Sequence, residues 1–154
     1  MVNSKNPYFR TRKPKDINMN YWLMKTEPET FSWQDMVRDK KAVWDGVRNY
    51  AARNNMRDMK KGDQVFIYHS GDHREVVGIA EVKKESYPDP TIDDPTWLAV
   101  DLIPKKELKK PVSLSTIKAD KRLQDIQLVK ISRLSVSPLP EDAYNIILQL
   151  SQNA

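Results

Sequence analysis

Hydrophobic and polar positions along the chain predict short strands and short helices in mixed order. Short runs rich in β-branched and aromatic residues are typical of strands, and they occur over 21–24, 64–69, 75–84, 96–103 and 127–136, with a brief extended piece at 42–44. Helical spacing of apolar residues occurs over 32–38, 50–59, 114–118 and after Pro140. The pattern predicts an α+β domain in which about five to six strands form a curled mixed sheet, a small pseudobarrel, with short helices packed outside.

Three of the helices are predicted to begin at a side chain that accepts a hydrogen bond from a free backbone amide of the first turn. These N-cap residues are Ser32, Asn49 and Ser113. Gly62 is a stop signal after the second helix, and Pro140 suits the first turn of the closing helix. The apolar face of that closing helix is predicted on Tyr144, Ile147 and Leu148.

Two connections are predicted from turn residues. Residues 70–73 (Ser-Gly-Asp-His) have the chemistry of a tight turn, so 64–69 and 75–84 are expected to pair as an antiparallel hairpin. Residues 86–95 contain three prolines and three aspartates. Because proline lacks the backbone donor that a strand ladder requires, we predict a loop there.

Positive charge is concentrated at the N-terminus. The net charge of the chain is +5, and five basic residues against one acidic residue give residues 1–19 a net charge of +4. This polar segment has neither strand-like nor helix-like periodicity, and we predict a flexible basic arm, which either contacts phosphate or is simply an unstructured terminus. Residues 20–152 are predicted to form one nearly neutral domain, in which any nucleic-acid affinity depends on a local site.

Residues suited to catalysis or metal binding are scarce. The chain has no cysteine and only two histidines, His69 and His73, which excludes disulfides, thiolate nucleophiles and cysteine-ligated zinc. Its four glycines form no phosphate-binding pattern. We therefore expect a protein that is not an enzyme and needs no metal or cofactor. No apolar run is long enough to span a membrane and no secretory leader is evident, so we expect a cytoplasmic protein without a membrane partner.

One string combines features suited to nucleic-acid binding. Residues 44–54 (WDGVRNYAARN) place an aromatic ring, a flexible glycine and a helix start bearing Arg48 and Asn49 close together. An aromatic face stacks on a base, an amide pairs with the polar edge of a base, and arginines and free helix amides bind phosphate. The same spacing also fits a structural role, with Trp44 in the core and Asn49 only a helix cap. The other tryptophans are predicted to be packing residues: Trp22, Trp33 and Trp97.

Six strings of the chain, in this order, resemble the EVE domain family. They are YWLMKTEP (21–28), WDGVRNYAARNNMR (44–57), GDQVFIYHS (62–70), GIAEV (78–82), YPDPT (87–91) and SRLSVSP (132–138). The resemblance covers residues 20 to about 150 and is highly specific. EVE domains belong to the PUA-like superfamily and are similar in fold to YTH domains, which read methylated adenine in RNA. The family is implicated in recognising modified bases, notably modified cytosines in DNA. The resemblance therefore implies a PUA-like pseudobarrel.

The resemblance also implies a pocket for one flipped base. Trp44 would be a wall of that pocket and Asn49 would address the base edge. Thr26, in a place often held by serine, keeps the hydroxyl that would face the pocket. The implied pocket residues are Lys25, Thr26, Trp44, Asn49, Tyr68, His69 and Ser70, with Tyr87 at the rim. The implied contacts to the nucleic-acid backbone are Arg48, Arg53 and Arg133.

Together these inferences predict a non-catalytic nucleic-acid-binding module that recognises one modified base, a DNA cytosine or adenine, in an aromatic-lined pocket. Two alternatives stay open. One is a general RNA-binding domain of PUA-like type, and the other is an enzyme acting on a nucleobase, for which His69 and Glu27 are the only evident general bases. The sequence distinguishes neither DNA from RNA nor one modification from another. A monomer is the default oligomeric state.

Deletion of residues 1–19 tests the role of the arm. If the arm contacts phosphate, the truncated protein is expected to bind all sequences more weakly at low salt. The slope of log affinity against log salt concentration is also expected to be shallower for the truncated protein. The change is about 0.9 per lost phosphate contact on duplex DNA and about 0.7 on single strands. Preference for a modified base is expected to survive, since phosphate contacts position and base contacts specify. Anisotropy titrations over a salt series measure both quantities, and an unchanged slope would exclude phosphate contact by the arm.

Overall fold

Six strands and five α-helices build the part of the chain that the computed structural model describes, residues 19–152. The predicted basic arm lies outside the described residues except for Met19. The strands are β1 (Tyr21–Thr26), β2 (Ala42–Trp44), β3 (Gln64–His69), β4 (Glu75–Pro88), β5 (Leu98–Ser113) and β6 (Val136–Leu139). The helices are α1 (Trp33–Asp39), α2 (Tyr50–Asp58), α3 (Leu114–Ala119), α4 (Gln127–Lys130) and α5 (Glu141–Leu150), with a 3-10 turn over Lys121–Leu123.

All six strands belong to one mixed sheet in the order β2-β5-β4-β3-β1-β6. Strands β1 and β3 run parallel, and the other neighbours are antiparallel. A parallel pair needs a long crossover, and residues 27–63, which include α1, β2 and α2, provide it. The predicted α+β class and the predicted hairpin of 64–69 with 75–84 are confirmed.

The sheet buries an apolar cluster on each face because successive side chains of a strand point to opposite sides. In β1, Trp22 and Met24 belong to one cluster and Leu23 to the other. In β3, Val65 and Ile67 join the first cluster. The first cluster also receives Trp33 and Met36 of α1 and Ala52 and Met56 of α2. The second is closed by α3, α4 and α5 through Ile117, Leu128 and Ile147.

Helix α2 connects the two ends of the sheet. It contacts β6, which is one edge strand, and β5, which lies next to the other edge. Contact with both ends requires the sheet to curl, which confirms the predicted curled architecture. The helix is held by two fully buried methionines, Met56 and Met59.

The three predicted N-caps are confirmed. The Ser32 hydroxyl accepts a hydrogen bond from Asp35 N–H at 3.0 Å, and the Asp35 carboxylate accepts one from Ser32 N–H at 2.9 Å, which forms a capping box. Asn49 Oδ1 accepts from Ala52 N–H at 2.9 Å. Ser113 caps α3 in the same way, and Pro140 immediately precedes α5. These starts depend on local chemistry, which explains why they are visible in the sequence.

The predicted final strand over 127–136 is wrong. Its first part is the single-turn helix α4, and the last strand, β6, begins only at Val136. Short apolar runs do not distinguish a buried helical turn from a strand. Pro138 lies within β6, which is an edge strand, where a missing backbone donor is tolerated.

The loop predicted over 86–95 is wrong at its start. Tyr87 and Pro88 still pair with Ala99 and Leu98, so β4 continues to Pro88 and the loop begins at Asp89. Strand β5 is also longer than the predicted 96–103. Several register shifts in the β4–β5 ladder interrupt regular pairing, and such irregularities accommodate prolines within a strand.

Gly78 is required by the packing of Trp33. A Cβ at position 78 would lie 2.6 Å from three ring atoms of Trp33. The Trp33 side chain is 1% exposed, so its ring is confined by the core. Trp33 is therefore a packing residue, as predicted.

Gly78→Ala is expected to lower the free energy of unfolding by about 1–3 kcal/mol, because the added methyl group overpacks this contact. Urea unfolding measures the change. In a Trp33→Leu background the same substitution is expected to cost less, since the obstructing ring is gone. An equal cost in both backgrounds would show that the indole is not the obstacle.

Candidate functional site

A cavity of about 530 Å³ opens beside the end of β1. We call it the tryptophan cavity. The side chains that matter for its chemistry are Lys25, Thr26, Phe31, Trp44, Asp45 and Arg48. Among the predicted pocket residues, the structure thus brings Lys25, Thr26 and Trp44 together here, with the predicted backbone contact Arg48.

Trp44 belongs both to the core and to the cavity wall. It is the last residue of β2, is 9% exposed and packs in the first apolar cluster. The Phe31 ring lies edge-on to it at a centroid distance of 6.4 Å. The sequence left a core role and a position in a pocket wall as alternatives for Trp44. In the structure the same side chain packs in the core and lines the cavity.

Two residues at the end of β1 supply polar groups to the tryptophan cavity. The Thr26 hydroxyl donates to the Phe31 carbonyl at 2.7 Å, which ties the turn after β1 to the strand. The Lys25 ammonium donates to the Ser132 carbonyl at 2.7 Å. Lys25 is half-buried, and burial lowers the pKa of its ammonium group.

Asp89 holds the segment that follows Trp44. Its buried carboxylate accepts hydrogen bonds from Gly46 N–H at 2.8 Å, from the Arg48 guanidinium at 2.9 Å and from Thr91 N–H at 2.7 Å. Burial opposes ionisation of this carboxyl, but the hydrogen bonds from Thr91, Gly46 and Arg48 outweigh it, so the pKa of Asp89 lies well below its usual value. Asp89 is not among the site residues predicted from the sequence, although its Asp-Pro-Thr context is typical of an Asx turn.

Asn49 and Arg133 line a different cavity, of about 360 Å³, which also includes Ala51, Asn54 and Asn55 of α2. The Asn49 carbonyl oxygen is used to cap α2. Neither residue is among those that line the tryptophan cavity. The base-edge role of Asn49 and the backbone role of Arg133 stay predictions.

Tyr68 and Ser70 line another cavity of about 360 Å³, which we call the basic cavity. It is defined by Lys25, Tyr68, Ser70, Arg74, Lys118 and Ser132. The Tyr68 side chain is buried in the second apolar cluster, and the Lys25 ammonium lies 5.8 Å from the centre of its ring. Lys25 lines both the tryptophan cavity and the basic cavity.

His69 is turned away from Tyr68 and Ser70 by the alternation of the strand. Its Nε2 accepts a hydrogen bond from Trp33 N–H at 3.0 Å, at the start of α1. Burial, and next the neighbouring His73, lower the pKa of His69, which favours the neutral form that accepts this bond. This hydrogen bond orients α1. It also occupies one of the two ring nitrogens of His69, which the sequence offered as a candidate general base.

Tyr87 lies in β4 rather than in a loop. Its hydroxyl donates to the Asp101 carboxylate, and the Lys84 ammonium lies 4.4 Å from the centre of its ring. Burial, together with the Asp101 hydrogen bond, raises the pKa of Tyr87 to about 12. Tyr87 is not among the residues that line the tryptophan cavity.

Arginine and aromatic side chains alternate on the surface beside Asp89. The Arg48 guanidinium lies 5.7 Å from the Trp97 ring, the Trp97 and Tyr50 rings are 4.9 Å apart, and the Arg53 guanidinium lies 5.4 Å from Tyr50. Arg53 also donates to the Thr96 carbonyl at 2.8 Å. Tyr50 is 62% exposed, so this row is open to solvent at its centre. Tyr50 is not among the site residues predicted from the sequence, although it lies within the string 44–54.

The described residues provide neither a metal-binding group nor a membrane-spanning helix. Between residues 19 and 152, no three histidine, cysteine, aspartate or glutamate side chains are grouped to hold a metal ion. Within the same range, no helix has the length and apolar character needed to cross a membrane.

The sheet and its helices define an α+β domain with the fold of YTH domains. The YTH domain of Zygosaccharomyces rouxii MRB1, solved with N6-methyladenosine RNA, superposes with a TM-score of 0.54 over 89% of each chain. It is 15% identical in sequence, so this likeness concerns the fold alone.

The chain belongs to the EVE domain family, whose family model matches residues 20–150. Mouse thymocyte nuclear protein 1 is 36% identical over 86% of this chain and 74% of its own length. Protein Atu2648 of Agrobacterium tumefaciens is 43% identical with a TM-score of 0.84, covering 86% of this chain and 93% of that one. Human THYN1, solved in complex with DNA containing 5-methylcytosine, is 30% identical with a TM-score of 0.84, covering 88% of this chain and 99% of that one. The predicted family membership is confirmed.

Asp89→Asn is expected to destabilise the protein by about 1–3 kcal/mol near neutral pH, because an ionic acceptor of several hydrogen bonds is lost while the shape is kept. A carboxyl whose pKa is lower in the folded than in the unfolded protein stabilises the fold above its unfolded pKa, and this contribution is lost as pH falls. The difference between wild type and variant should therefore be constant at neutral pH and shrink below about pH 4. Urea unfolding at several pH values measures it.

Asp93→Asn is the matched control, because Asp93 is an exposed carboxylate of the same loop. It is expected to leave stability almost unchanged. If both variants behaved alike, the ion pair and hydrogen bonds of Asp89 would not hold this segment.

Proposed function

We propose that this EVE domain is a nucleic-acid reader that takes one flipped, modified cytosine of DNA into the tryptophan cavity without transforming it. The observation that carries the proposal is the position of Trp44, whose ring is part of the wall of a cavity that also presents hydroxyl, ammonium, carboxylate and guanidinium groups. A stacking surface with a few convergent polar groups is the chemistry that base recognition requires.

The size and lining of the cavity support this proposal. Small-molecule sites typically occupy a few hundred cubic ångströms, and the tryptophan cavity of about 530 Å³ lies in that range. Stacking of a base on an aromatic side chain contributes about 1–3 kcal/mol. Unstacking a base from duplex DNA costs a few kcal/mol, so additional contacts to the strand are needed for firm binding.

Asp45 supports a preference for a base with an exocyclic amino group. Its carboxylate lines the tryptophan cavity, and carboxylates accept hydrogen bonds from the amino group of cytosine. Burial, and next the negative charge of Asp89, raise the pKa of Asp45. Because Asn49 lies outside this lining, Asp45 is a better placed candidate for contact with the base edge.

A relative supports the choice of DNA and of cytosine. Human THYN1, of which the match covers 99%, is solved in complex with DNA containing 5-methylcytosine. A non-catalytic role is supported by the engagement of His69 Nε2, a predicted general-base candidate, with the Trp33 backbone. Glu27, the other predicted general-base candidate, lines the cavity together with the carboxylates of Asp39 and Asp45.

Trp44→Ala is expected to lower affinity for a 5-methylcytosine oligonucleotide by about tenfold or more, because the stacking surface is removed. Anisotropy titrations with modified and unmodified oligonucleotides, in both DNA and RNA form, measure affinity and preference. Trp44→Phe is the matched control, since it keeps an aromatic face and a core side chain. It should bind more tightly and be more stable than Trp44→Ala, which also loses core packing, so the affinities are compared at a temperature at which thermal unfolding shows both variants folded.

Each contrary result has a distinct meaning. Equal binding of modified and unmodified DNA by the wild-type protein would exclude the proposed reading of a modified base. Tighter binding of unmodified RNA than of any DNA would favour a general RNA-binding domain. If both Trp44 variants bound as the wild type does, the cavity would not be the base site.

A further inference from the structure

The basic cavity is lined by cations and hydroxyls and contains no carboxylate. Lys25, Arg74 and Lys118 contribute positive charge, and Ser70 supplies a hydroxyl. The remaining lining is apolar, glycine, tyrosine or serine. Such a lining offers many hydrogen-bond donors and no fixed negative charge, which suits an anion rather than a cation.

These three cations lack an acidic partner among the described residues. Lys25 donates to the Ser132 carbonyl at 2.7 Å, and Arg74 donates to the Gly71 carbonyl at 3.1 Å. Elsewhere in the described part of the chain, Arg38, Arg48 and Arg122 each lie within 2.9 Å of a carboxylate. The charge gathered at the basic cavity is therefore uncompensated, in contrast to that of Arg38, Arg48 and Arg122.

The backbone of Arg74 has a conformation that arginine rarely adopts. Its φ of 48° lies in the left-handed region, which is unfavourable for a side chain of this kind. The Arg74 carbonyl accepts a hydrogen bond from Leu114 N–H at 2.8 Å, at the start of α3. Strained backbone persists only where the surrounding structure holds it, and such positions are concentrated at functional sites.

Lys25 joins the basic cavity to the tryptophan cavity. It lies at the end of β1 and lines both. A ligand that extends from one cavity to the other must therefore pass its ammonium group. A nucleotide has this form, because its base and its phosphate are separate groups joined by a sugar.

We propose that the basic cavity binds a phosphate group of the nucleic-acid strand next to the nucleotide whose base enters the tryptophan cavity. This proposal rests on the proposed function. Arg74 supplies a planar guanidinium that binds phosphate oxygens through two donors, and Lys118 adds a mobile point charge. In this proposal Lys25 contacts the nucleic-acid strand between the two cavities, and the Ser70 hydroxyl donates a hydrogen bond to the phosphate.

The test combines charge removal with a salt series. The double variant Arg74→Gln/Lys118→Gln is expected to lower affinity for a short single-stranded 5-methylcytosine oligonucleotide about tenfold to a hundredfold at low salt. The slope of log affinity against log salt should become shallower by about 0.7 for one lost phosphate contact. The preference for the modified base should survive, whereas Trp44→Ala should abolish it.

The matched control removes the same charge elsewhere. Lys61 and Lys83 are exposed and lie at the opposite end of β3 from the basic cavity, so Lys61→Gln/Lys83→Gln is expected to change affinity little. Arg74→Lys, which keeps the charge, should retain most of the binding. If the two double variants lost the same affinity and slope, the cavity would only contribute to overall charge and the proposal would be overturned.

Inorganic phosphate distinguishes a free anion from a strand phosphate. In NMR titrations of the wild-type protein, phosphate is expected to shift the signals of Gly71 and of the Arg74 side chain in a saturable way, and Arg74→Gln/Lys118→Gln should abolish the shifts. If no oligonucleotide bound but these shifts persisted, the proposed function would fail and the cavity would be a site for free phosphate. Absence of both would overturn the site itself.

Discussion

Strands β1 and β3 lie side by side and run in the same direction, ending together at Thr26 and His69. Because a parallel pair cannot be joined by a tight turn, the chain uses residues 27–63 to return to the starting edge. The segments that follow the two strands therefore emerge at the same edge of the sheet. Both the tryptophan cavity and the basic cavity open there, and Lys25 lines the two of them.

Buried carboxylates connect the segments that this topology brings together. Asp63 accepts hydrogen bonds from Trp22 Nε1 at 2.9 Å and from Lys60 N–H at 2.9 Å, which joins β1 to the turn before β3. Asp89 holds residues 46–48 in a similar way, from a loop far away in sequence. A buried charge is costly unless it is fully hydrogen-bonded. If these segments moved, each buried carboxylate would lose its hydrogen-bond donors. The two carboxylates therefore favour one arrangement of the segments around the tryptophan cavity.

The charges of the domain are arranged locally rather than globally. Most of the net positive charge lies in residues 1–19, and several arginines of the domain are paired with carboxylates. General attraction to phosphate is therefore weak in the domain itself. The uncompensated cations of the basic cavity lie next to the tryptophan cavity, because Lys25 lines both. The proposed base contact is aromatic and the proposed phosphate contact is ionic, and the two sites are adjacent.

Local chemistry was enough to predict much of this protein from its sequence. The caps at Ser32, Asn49 and Ser113, the hairpin through 70–73 and the α+β class depend on neighbouring residues, and family strings identified the EVE domain. The same dependence on neighbouring residues explains the error over 127–136, because a single helical turn and a strand have similar local patterns of apolar residues.

Only the tertiary structure decided which side chains share a cavity. His69 is separated from Tyr68 and Ser70 by strand alternation, Asn49 is used as a cap, and Asp89 enters the site from a distant loop. These assignments depend on strand register and on contacts between residues far apart in the chain, and neither is encoded in any local pattern.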